Sequence, residues 1–304
     1  MTELFRLFSE NIFPIIFMAG VGFLIQRLFN IDPRPLSIVI FYALTPTLIF
    51  QLTFHNQVNG TDMLRMISVV ISLAIILSIF VSGMARVLQL SPAMKAAFLL
   101  SAVFMNAGNY GLSLNSYALG QIGLAWASIF FISTAVLNNS LGVFFASSGN
   151  KTVGDSLLGL LRVPTLYAFA IALVLRLCHI EQLPTPLSKP IEAMAAATIP
   201  AMLLVLGMQI SRTGLPSNKK LMGLAIGTRL ILSPLIAAAL TFFMNLPLIG
   251  RQAGILEAAM PSPVLAIIIS MEYDAEPEFV SAVVLLTTIL SPLTLTPIMA
   301  WLGL

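Results

Sequence analysis

The chain has one cysteine, two histidines and few charged residues. Aspartate, glutamate, lysine and arginine make up 9% of its 304 residues, whereas hydrophobic residues make up 58%. Soluble globular domains carry about 25% charged residues, so this composition excludes an ordinary soluble domain. The single cysteine, Cys178, excludes an intramolecular disulfide and a cysteine-based metal cluster. The composition predicts an all-α polytopic membrane protein.

Motifs of common hydrolases and nucleotide-binding enzymes are also absent. The sequence contains no H-E-x-x-H, no G-x-S-x-G and no phosphate-binding loop, and both histidines fall at the ends of predicted spans. We therefore expect no enzyme activity, no cofactor and no metal. The net charge of +3 is spread over the connections, which predicts no nucleic-acid partner.

Long apolar segments account for most of the chain. A membrane-spanning helix needs about 20 mostly apolar residues, and ten such segments are separated by charged residues, proline or glycine. They cover approximately residues 11–29, 35–54, 64–88, 95–118, 122–147, 159–179, 187–210, 219–245, 251–271 and 279–302. We number them spans 1 to 10.

Lysine and arginine in the connections predict the orientation in the plasma (inner) membrane. Nine of them follow odd-numbered spans, five lie on the opposite side, and Arg229 falls inside span 8. Because positive residues concentrate on the cytoplasmic side, both termini are predicted to lie outside.

The two halves of the chain match at a nearly constant offset. The matching positions lie 150 to 156 residues apart: Pro14 and Pro164, Pro46 and Pro200, Lys95 and Arg251, and Thr134 and Thr288. This pattern predicts a duplication, with five spans in residues 1–150 and five in residues 151–304. Since five is an odd number, the repeats would be inverted relative to each other, as in many secondary transporters.

Spans 4 and 9 are interrupted at the same depth. Span 4 contains Asn106, Gly108, Asn109 and Gly111, where glycine permits unwinding and asparagine can cap a half-helix. Span 9 contains Pro261-Ser262-Pro263, and each proline removes a helical hydrogen bond. Two unwound helices that face each other would direct positive N-terminal ends at one small volume, which favours an anion such as a carboxylate. The alternative for Gly108 and Gly111 is close helix packing.

Other polar residues are candidates for the same cavity. Asn138 and Asn139 interrupt span 5, and because adjacent residues lie about 100° apart on a helix, we expect one of them to face the cavity, with hydrogen bonding between helices as the alternative. Thr45 and Pro46 in span 2 are candidates for its wall, with a kink that serves core packing as the alternative.

Glu257 and Arg229 are the charged residues deepest in the predicted spans. An ionisable residue inside a membrane is costly to bury and therefore indicates function. Glu257 precedes the span 9 break by one turn, which suits coupling to H⁺ or Na⁺. A structural ion pair between Glu257 and Arg229 is the alternative.

The interrupted segments resemble those of a known family. Asn106-Ala-Gly-Asn-Tyr-Gly-Leu112 and Ala258-Ala-Met-Pro-Ser-Pro-Val-Leu-Ala-Ile-Ile-Ile-Ser-Met-Glu-Tyr-Asp274 are similar to segments of the auxin efflux carrier family, which includes plant PIN-type exporters and bacterial malonate-type carriers. The resemblance implies a scaffold of spans 1, 2, 6 and 7, a transport domain of spans 3–5 and 8–10, and a crossing of the broken spans 4 and 9. By position, Asn106, Asn109 and the Pro261 break correspond to the crossover residues of the family. Family members often have a proline in the span 4 break, and this sequence has none there.

The resemblance implies a secondary active transporter of a small organic anion, auxin-like or malonate-like, that works by elevator-type alternating access. The partners implied are the anion and the lipid bilayer, with a homodimer left open. Glu257 and Met260 at the break are also similar to bile-acid sodium symporters, whose acid helps to hold sodium, so a sodium-coupled symporter is one alternative. A non-transporting membrane sensor or scaffold is another, although the short connections leave no room for a soluble domain.

Overall fold

The computed structural model describes residues 2–55, 58–147, 163–180, 182–210 and 219–304, and no β-strand occurs among them. In chain order the helices are α1 (Glu3–Phe29), α2 (Arg34–Phe54), α3 (Gly60–Val87), α4 (Pro92–Val103), α5 (Ser113–Leu137), α6 (Pro164–Leu177), α7 (Thr185–Ile210), α8 (Lys219–Phe243), α9 (Leu248–Ala258), α10 (Leu265–Glu272) and α11 (Pro277–Trp301). The predicted repeat boundary after residue 150 lies outside the described residues. The same holds for three of the positive residues that predict the orientation, Lys151, Arg162 and Arg212.

Seven helical stretches in the described part of the chain are long and apolar enough to cross a membrane. They are α1, α2, α3, α7, α8, α11 and the 55-residue stretch Pro92–Ala146, which contains α4 and α5. Predicted spans 4 and 5 both fall in that stretch, α6 has 14 residues, and predicted span 9 is divided into α9 and α10. The all-helical class is confirmed, while the ten-span inverted repeat stays a prediction.

Three of the long helices contain a π-helical turn that ends two residues before a proline. The turns cover Phe8–Ile12, Ile40–Leu44 and Thr228–Leu232, and the prolines are Pro14, Pro46 and Pro234. Proline has no N–H for the carbonyl four residues earlier, so a helical hydrogen bond is lost and the helix widens. In α2, the hydroxyl of Thr47 donates to the carbonyl of Leu44 over 2.8 Å.

Two glycines allow α1 and α7 to pack in direct backbone contact. A Cβ atom at Gly22 would lie 2.9 Å from the Cα of Leu204, and one at Gly207 would lie 2.8 Å from the backbone nitrogen of Phe23. Real Cβ atoms do not come so close to backbone, so each position requires glycine. On the neighbouring side α6 packs against α2, and both α2 and α7 contact the segment that runs from residue 107 through α5.

The largest buried apolar cluster lies where α3, α4, α5, α9 and α11 meet. Leu73, Phe98, Phe130, Leu256 and Val283 belong to it and are fully buried. The cluster also includes side chains from the non-helical segments after α4 and α9. The apolar core therefore holds both interruptions in the interior of the protein.

Candidate functional site

Two interrupted segments meet in the interior. α4 ends at Val103, residues 104–106 are not helical, and a π-helical turn over Ala107–Leu112 leads into α5. α9 ends at Ala258, and α10 begins after a non-helical segment over residues 259–264. Both predicted interruptions are present. The first lies slightly earlier than predicted, because Gly108 and Gly111 belong to the π-helical turn and not to the unwound segment.

Hydrogen bonds join the two segments, and we call this meeting point the junction. The backbone N–H of Asn106 donates to the carbonyl of Pro261 over 2.8 Å, and the hydroxyl of Ser262 donates to the carbonyl of Ser101 over 2.5 Å. The backbone N–H of Ser262 donates to the hydroxyl oxygen of Thr287 in α11 over 3.1 Å. These bonds replace helical partners that the broken backbone has lost, and they hold the two segments against each other.

A cavity of about 420 Å³ lies beside the junction. Seven residues predicted from the sequence line it: Thr45, Asn106, Gly108, Asn109, Asn138, Asn139 and Pro263. Apolar side chains such as Phe131 and Met202 complete the wall, and Arg34 is the charged residue of the described lining. Along α2 the lining runs from the buried Thr45 to the exposed Arg34, so the cavity opens at the Arg34 end of the protein.

Asn106 lines the cavity and carries a buried hydrogen-bond donor without a partner among the described residues. The residue is 6% exposed, and its Nδ2 is buried. Although Asn106 occupies the position before the π-helical turn, its side chain makes no capping hydrogen bond there. The predicted capping role is therefore not seen, and the buried amide nitrogen has no acceptor among the described residues.

Asn138 and Asn139 both border the cavity, although only one of them was expected to face it. The helix is π-helical over Asn138–Gly142, and this wider turn changes the angle between successive side chains. Asn139 Nδ2 donates to the carbonyl of Ala135 over 2.8 Å, and Asn138 is the more buried of the two.

The other residues that the sequence predicted for the cavity are not part of its lining. Pro261 and Ser262 form the junction, and Pro46 follows the π-helical turn of α2. Gly111 lies directly against Glu257, because a Cβ atom at Gly111 would be 2.6 Å from the carboxyl carbon of Glu257. None of these residues belongs to the cavity lining.

Glu257 is fully buried beside the π-helical turn. Its Oε1 accepts a hydrogen bond from Asn115 Nδ2 over 3.1 Å, and the same nitrogen donates to the carbonyl of Gly111 over 3.0 Å. Among the described residues neither Glu257 Oε2 nor Asn115 Oδ1 has a hydrogen-bond partner. Sequence reasoning did not identify Asn115, although its position four residues after Gly111 puts it on the same helix face.

Arg229 is fully buried and does not pair with Glu257. Its guanidinium donates to the carbonyl of Val103 over 2.8 Å, to the carbonyl of Ala258 over 2.5 Å, and to the hydroxyl of Ser233. The ion pairs in the described part of the chain are Arg6 with Glu10 and Arg65 with Asp62. The alternative prediction of a Glu257–Arg229 ion pair is wrong, because Arg229 donates its hydrogen bonds to the carbonyls at the ends of α4 and α9.

Several residues of the cavity wall were not identified from the sequence. Phe41, Phe131 and Met202 are apolar residues in apolar helices, and nothing in their local pattern distinguishes a cavity face from a packed or lipid face. Arg34 was counted only among the positive residues that predict the orientation, although its position at the start of α2 could have indicated the mouth of a cavity.

Comparisons with known proteins point to membrane transporters. A sequence model of a family described as membrane transport protein matches residues 148–299. An uncharacterized transporter of Methanothermobacter thermautotrophicus is 25% identical over 292 residues, which cover 94% of this chain and 96% of the relative. An uncharacterized transporter of Methanocaldococcus jannaschii is 22% identical over 272 residues, with 86% of each chain covered. The chain therefore belongs to the membrane transport protein family, which is the auxin efflux carrier family, and is a multi-pass membrane transporter.

Proposed function

We propose that this protein is a secondary active transporter of a small organic anion, and that the anion binds in the cavity beside the junction. The observation that carries the proposal is Asn106, which borders the cavity and whose buried amide nitrogen has no hydrogen-bond partner among the described residues. A buried donor without an acceptor costs free energy, and a carboxylate oxygen would satisfy it.

The helix ends around the cavity also favour a negative charge. The π-helical turn that begins at Ala107 and the helix α10 that begins at Leu265 both present their N-terminal ends at the cavity wall. Each N-terminal end carries a partial positive charge of roughly half a unit. Apolar walls of the kind formed by Phe131 and Met202 would accept the carbon skeleton of an acid, whether auxin-like or malonate-like.

Ten crossings in two inverted five-span repeats, residues 1–150 and 151–304, account for the helix arrangement. At 1.5 Å per residue the stretch Pro92–Ala146 would be roughly 80 Å long, far more than the ~30 Å of a bilayer core, so it would cross twice. It changes direction at Gly120, where φ is +64°. In the two repeats α1 would correspond to α6, and α2 to α7. The contact between α1 and α7 would then correspond to the contact between α6 and α2, and both contacts are present.

This division supports an elevator-type mechanism with a scaffold of predicted spans 1, 2, 6 and 7. Between the scaffold and α5 lies an apolar barrier, which we define as Leu48, Ile49, Leu52, Leu112, Leu124, Ala127, Ile132 and Ala195. On α2 the barrier separates Thr45, at the cavity, from His55, which lines a second cavity at the opposite end of the helix. With both termini outside the plasma (inner) membrane, the cavity would face the cytoplasm and the barrier would close the external side.

Glu257 supports coupling of transport to a cation. A carboxylate buried without a positive partner is costly, so a proton or Na⁺ would accompany its negative charge. The two buried oxygens without partners in the described residues, Glu257 Oε2 and Asn115 Oδ1, favour a second candidate function, a sodium-coupled symporter of a bile-acid-like anion.

Transport by purified protein in liposomes tests the proposal. We expect uptake of radiolabelled malonate or indole-3-acetate, and we expect Asn109→Ala to abolish it without loss of folded protein. Ser68→Ala, an exposed hydroxyl that donates within its own helix, is the control and should leave uptake unchanged. Unchanged uptake in Asn109→Ala would remove this cavity from the mechanism.

Sodium dependence separates the two transporter proposals. A sodium requirement that Glu257→Gln abolishes supports the symporter, whereas sodium-independent uptake that follows pH or voltage supports an auxin-carrier type. Binding of an acid without flux under either condition would favour a membrane sensor and overturn both.

A further inference from the structure

Arg229 contacts the ends of two helices that belong to different halves of the chain. It lies in the π-helical turn that precedes Pro234, and this turn points its guanidinium at the carbonyls of Val103 and Ala258. These are the last residues of α4 and α9. Ser233 reinforces the contact, since its hydroxyl also donates to the carbonyl of Ala258 over 2.8 Å. One side chain therefore caps the C-terminal ends of both half helices.

The charges at this point balance. A helix C-terminal end carries a partial charge of roughly −0.5, so two ends together carry about −1, which matches the single positive charge of a guanidinium. Arginine suits this position because its planar fork presents several donors in fixed directions. Without the arginine, two partial negative charges would lie uncompensated in the buried core.

The capped ends lie close to the cavity. Val103 and Asn106 are three residues apart, so at most about 11 Å of extended chain separates their Cα atoms. We infer that Arg229 is a positioning residue of the cavity: it cancels the negative C-terminal ends of α4 and α9 and holds them together, so that the positive N-terminal ends at the cavity wall determine its preference for anions. This inference rests on the proposed transport of organic anions.

Pairs of ligands that differ in charge test whether Arg229 contributes to the preference of the cavity for anions. The probes are benzoate with benzamide, and malonate with malonamide, because each pair shares a carbon skeleton. We expect wild type to prefer the acids, and Arg229→Gln to reduce the ratio of acid to amide affinity on the order of tenfold, since a unit charge about 10 Å away interacts appreciably in a buried site. Arg229→Lys should stay within about threefold of wild type at pH 7, because it keeps the charge. Arg65→Gln, which removes an arginine paired with Asp62, should match wild type.

A pH series keeps the test decisive if Arg229→Gln does not fold. A lysine can lose its proton as the pH rises from about 7 to 10, whereas a guanidinium keeps its charge. The acid preference of Arg229→Lys should therefore fall with rising pH while that of wild type does not. A preference that Arg229→Gln retains, or one that stays constant with pH in Arg229→Lys, overturns the inference.

Hydrogen–deuterium exchange tests the capping without any ligand. In Arg229→Lys we expect faster exchange at residues 104–106 and 259–264 than in wild type, with unchanged exchange in the first turns of α4 and α9. Unchanged exchange at the junction overturns the capping role. If wild type shows no acid preference but the exchange result holds, the anion proposal fails and the capping role stands.

Discussion

The backbone nitrogen of Asn106 lies 2.8 Å from the carbonyl oxygen of Pro261 and donates its hydrogen to it. The bond connects the non-helical segment after α4 with the one after α9, and Asn106 also borders the cavity. Any displacement of one segment would therefore shift the wall of the cavity and strain the other segment. The two interruptions therefore act as one structural unit.

Ser262→Ala should weaken the junction. The variant loses the 2.5 Å hydrogen bond from the hydroxyl to the carbonyl of Ser101 and leaves that buried acceptor with one donor fewer. We expect a loss of about 1 kcal/mol in the free energy of unfolding, measured by thermal unfolding in detergent. Ser68→Ala, whose hydroxyl is exposed and bonds within its own helix, is the control. Equal stability of the two variants would contradict a role of Ser262 in the junction.

Asn106→Leu should raise stability and weaken ligand binding. The substitution removes a buried amide nitrogen that lacks a partner among the described residues and replaces it with an apolar side chain of similar size. We expect the ligand-free protein to gain about 1 kcal/mol, and acids to lose at least roughly tenfold in affinity. Thermal unfolding with and without benzoate or malonate measures both effects. A variant that is less stable and still binds would argue that Asn106 is structural.

Gly111→Ala should be strongly destabilising. The new Cβ atom would overlap the carboxyl group of Glu257, which is fully buried and cannot move away freely. We expect a cost of about 2 kcal/mol or more, as for other overpacked buried sites. Gly83→Ala in α3 is a matched control, because no atom lies within 4 Å of its added Cβ, and it should be neutral or slightly stabilising. Thermal unfolding of both variants checks the difference.

Gly22→Ala should separate α1 from α7. The added Cβ atom would collide with the backbone of Leu204, and backbone cannot rotate away as a side chain can. Gly20→Ala lies two residues away in the same helix and meets nothing within 4 Å, so it should keep wild-type stability. We expect Gly22→Ala to lose at least about 2 kcal/mol relative to Gly20→Ala in thermal unfolding. Similar stability of the two variants would show that the helices tolerate a wider separation.

Thiol labelling should distinguish the cavity from the apolar barrier. In a Cys178→Ser background, Ser37→Cys lies at the cavity lining and should react with a membrane-impermeant reagent. Ile49→Cys lies in the barrier, where the side chain is fully buried, and should react at least roughly tenfold more slowly. Reaction rates in right-side-out and inverted vesicles would also test the proposed orientation. Equal rates at the two positions would show that the barrier does not exclude solvent.

Some features of the site follow from local chemistry and could be predicted. Pro261 and Pro263 lack a backbone N–H in any environment, so two closely spaced helical hydrogen bonds are lost, and α9 ends before them. Asn106, Asn109 and Asn138 are polar residues in apolar helices, which alone indicates a cavity or a helix contact. Pro46 and Pro234 similarly predict local deformation, although the π-helical form of the turns depends on which donors reach the freed carbonyls.

The sequence by itself determined the membrane class, the helical content and the interruption of predicted span 9, because a scarcity of charge and the chemistry of proline act locally. The tertiary structure decided the hydrogen-bond partners of the buried polar side chains. Arg229 and Glu257 lie in the successive helices α8 and α9, yet Arg229 donates to the carbonyls of Val103 and Ala258, and Glu257 accepts from Asn115. Such choices depend on the relative positions of several helices, since burial makes each polar group take whichever partner the packed core brings within hydrogen-bond distance.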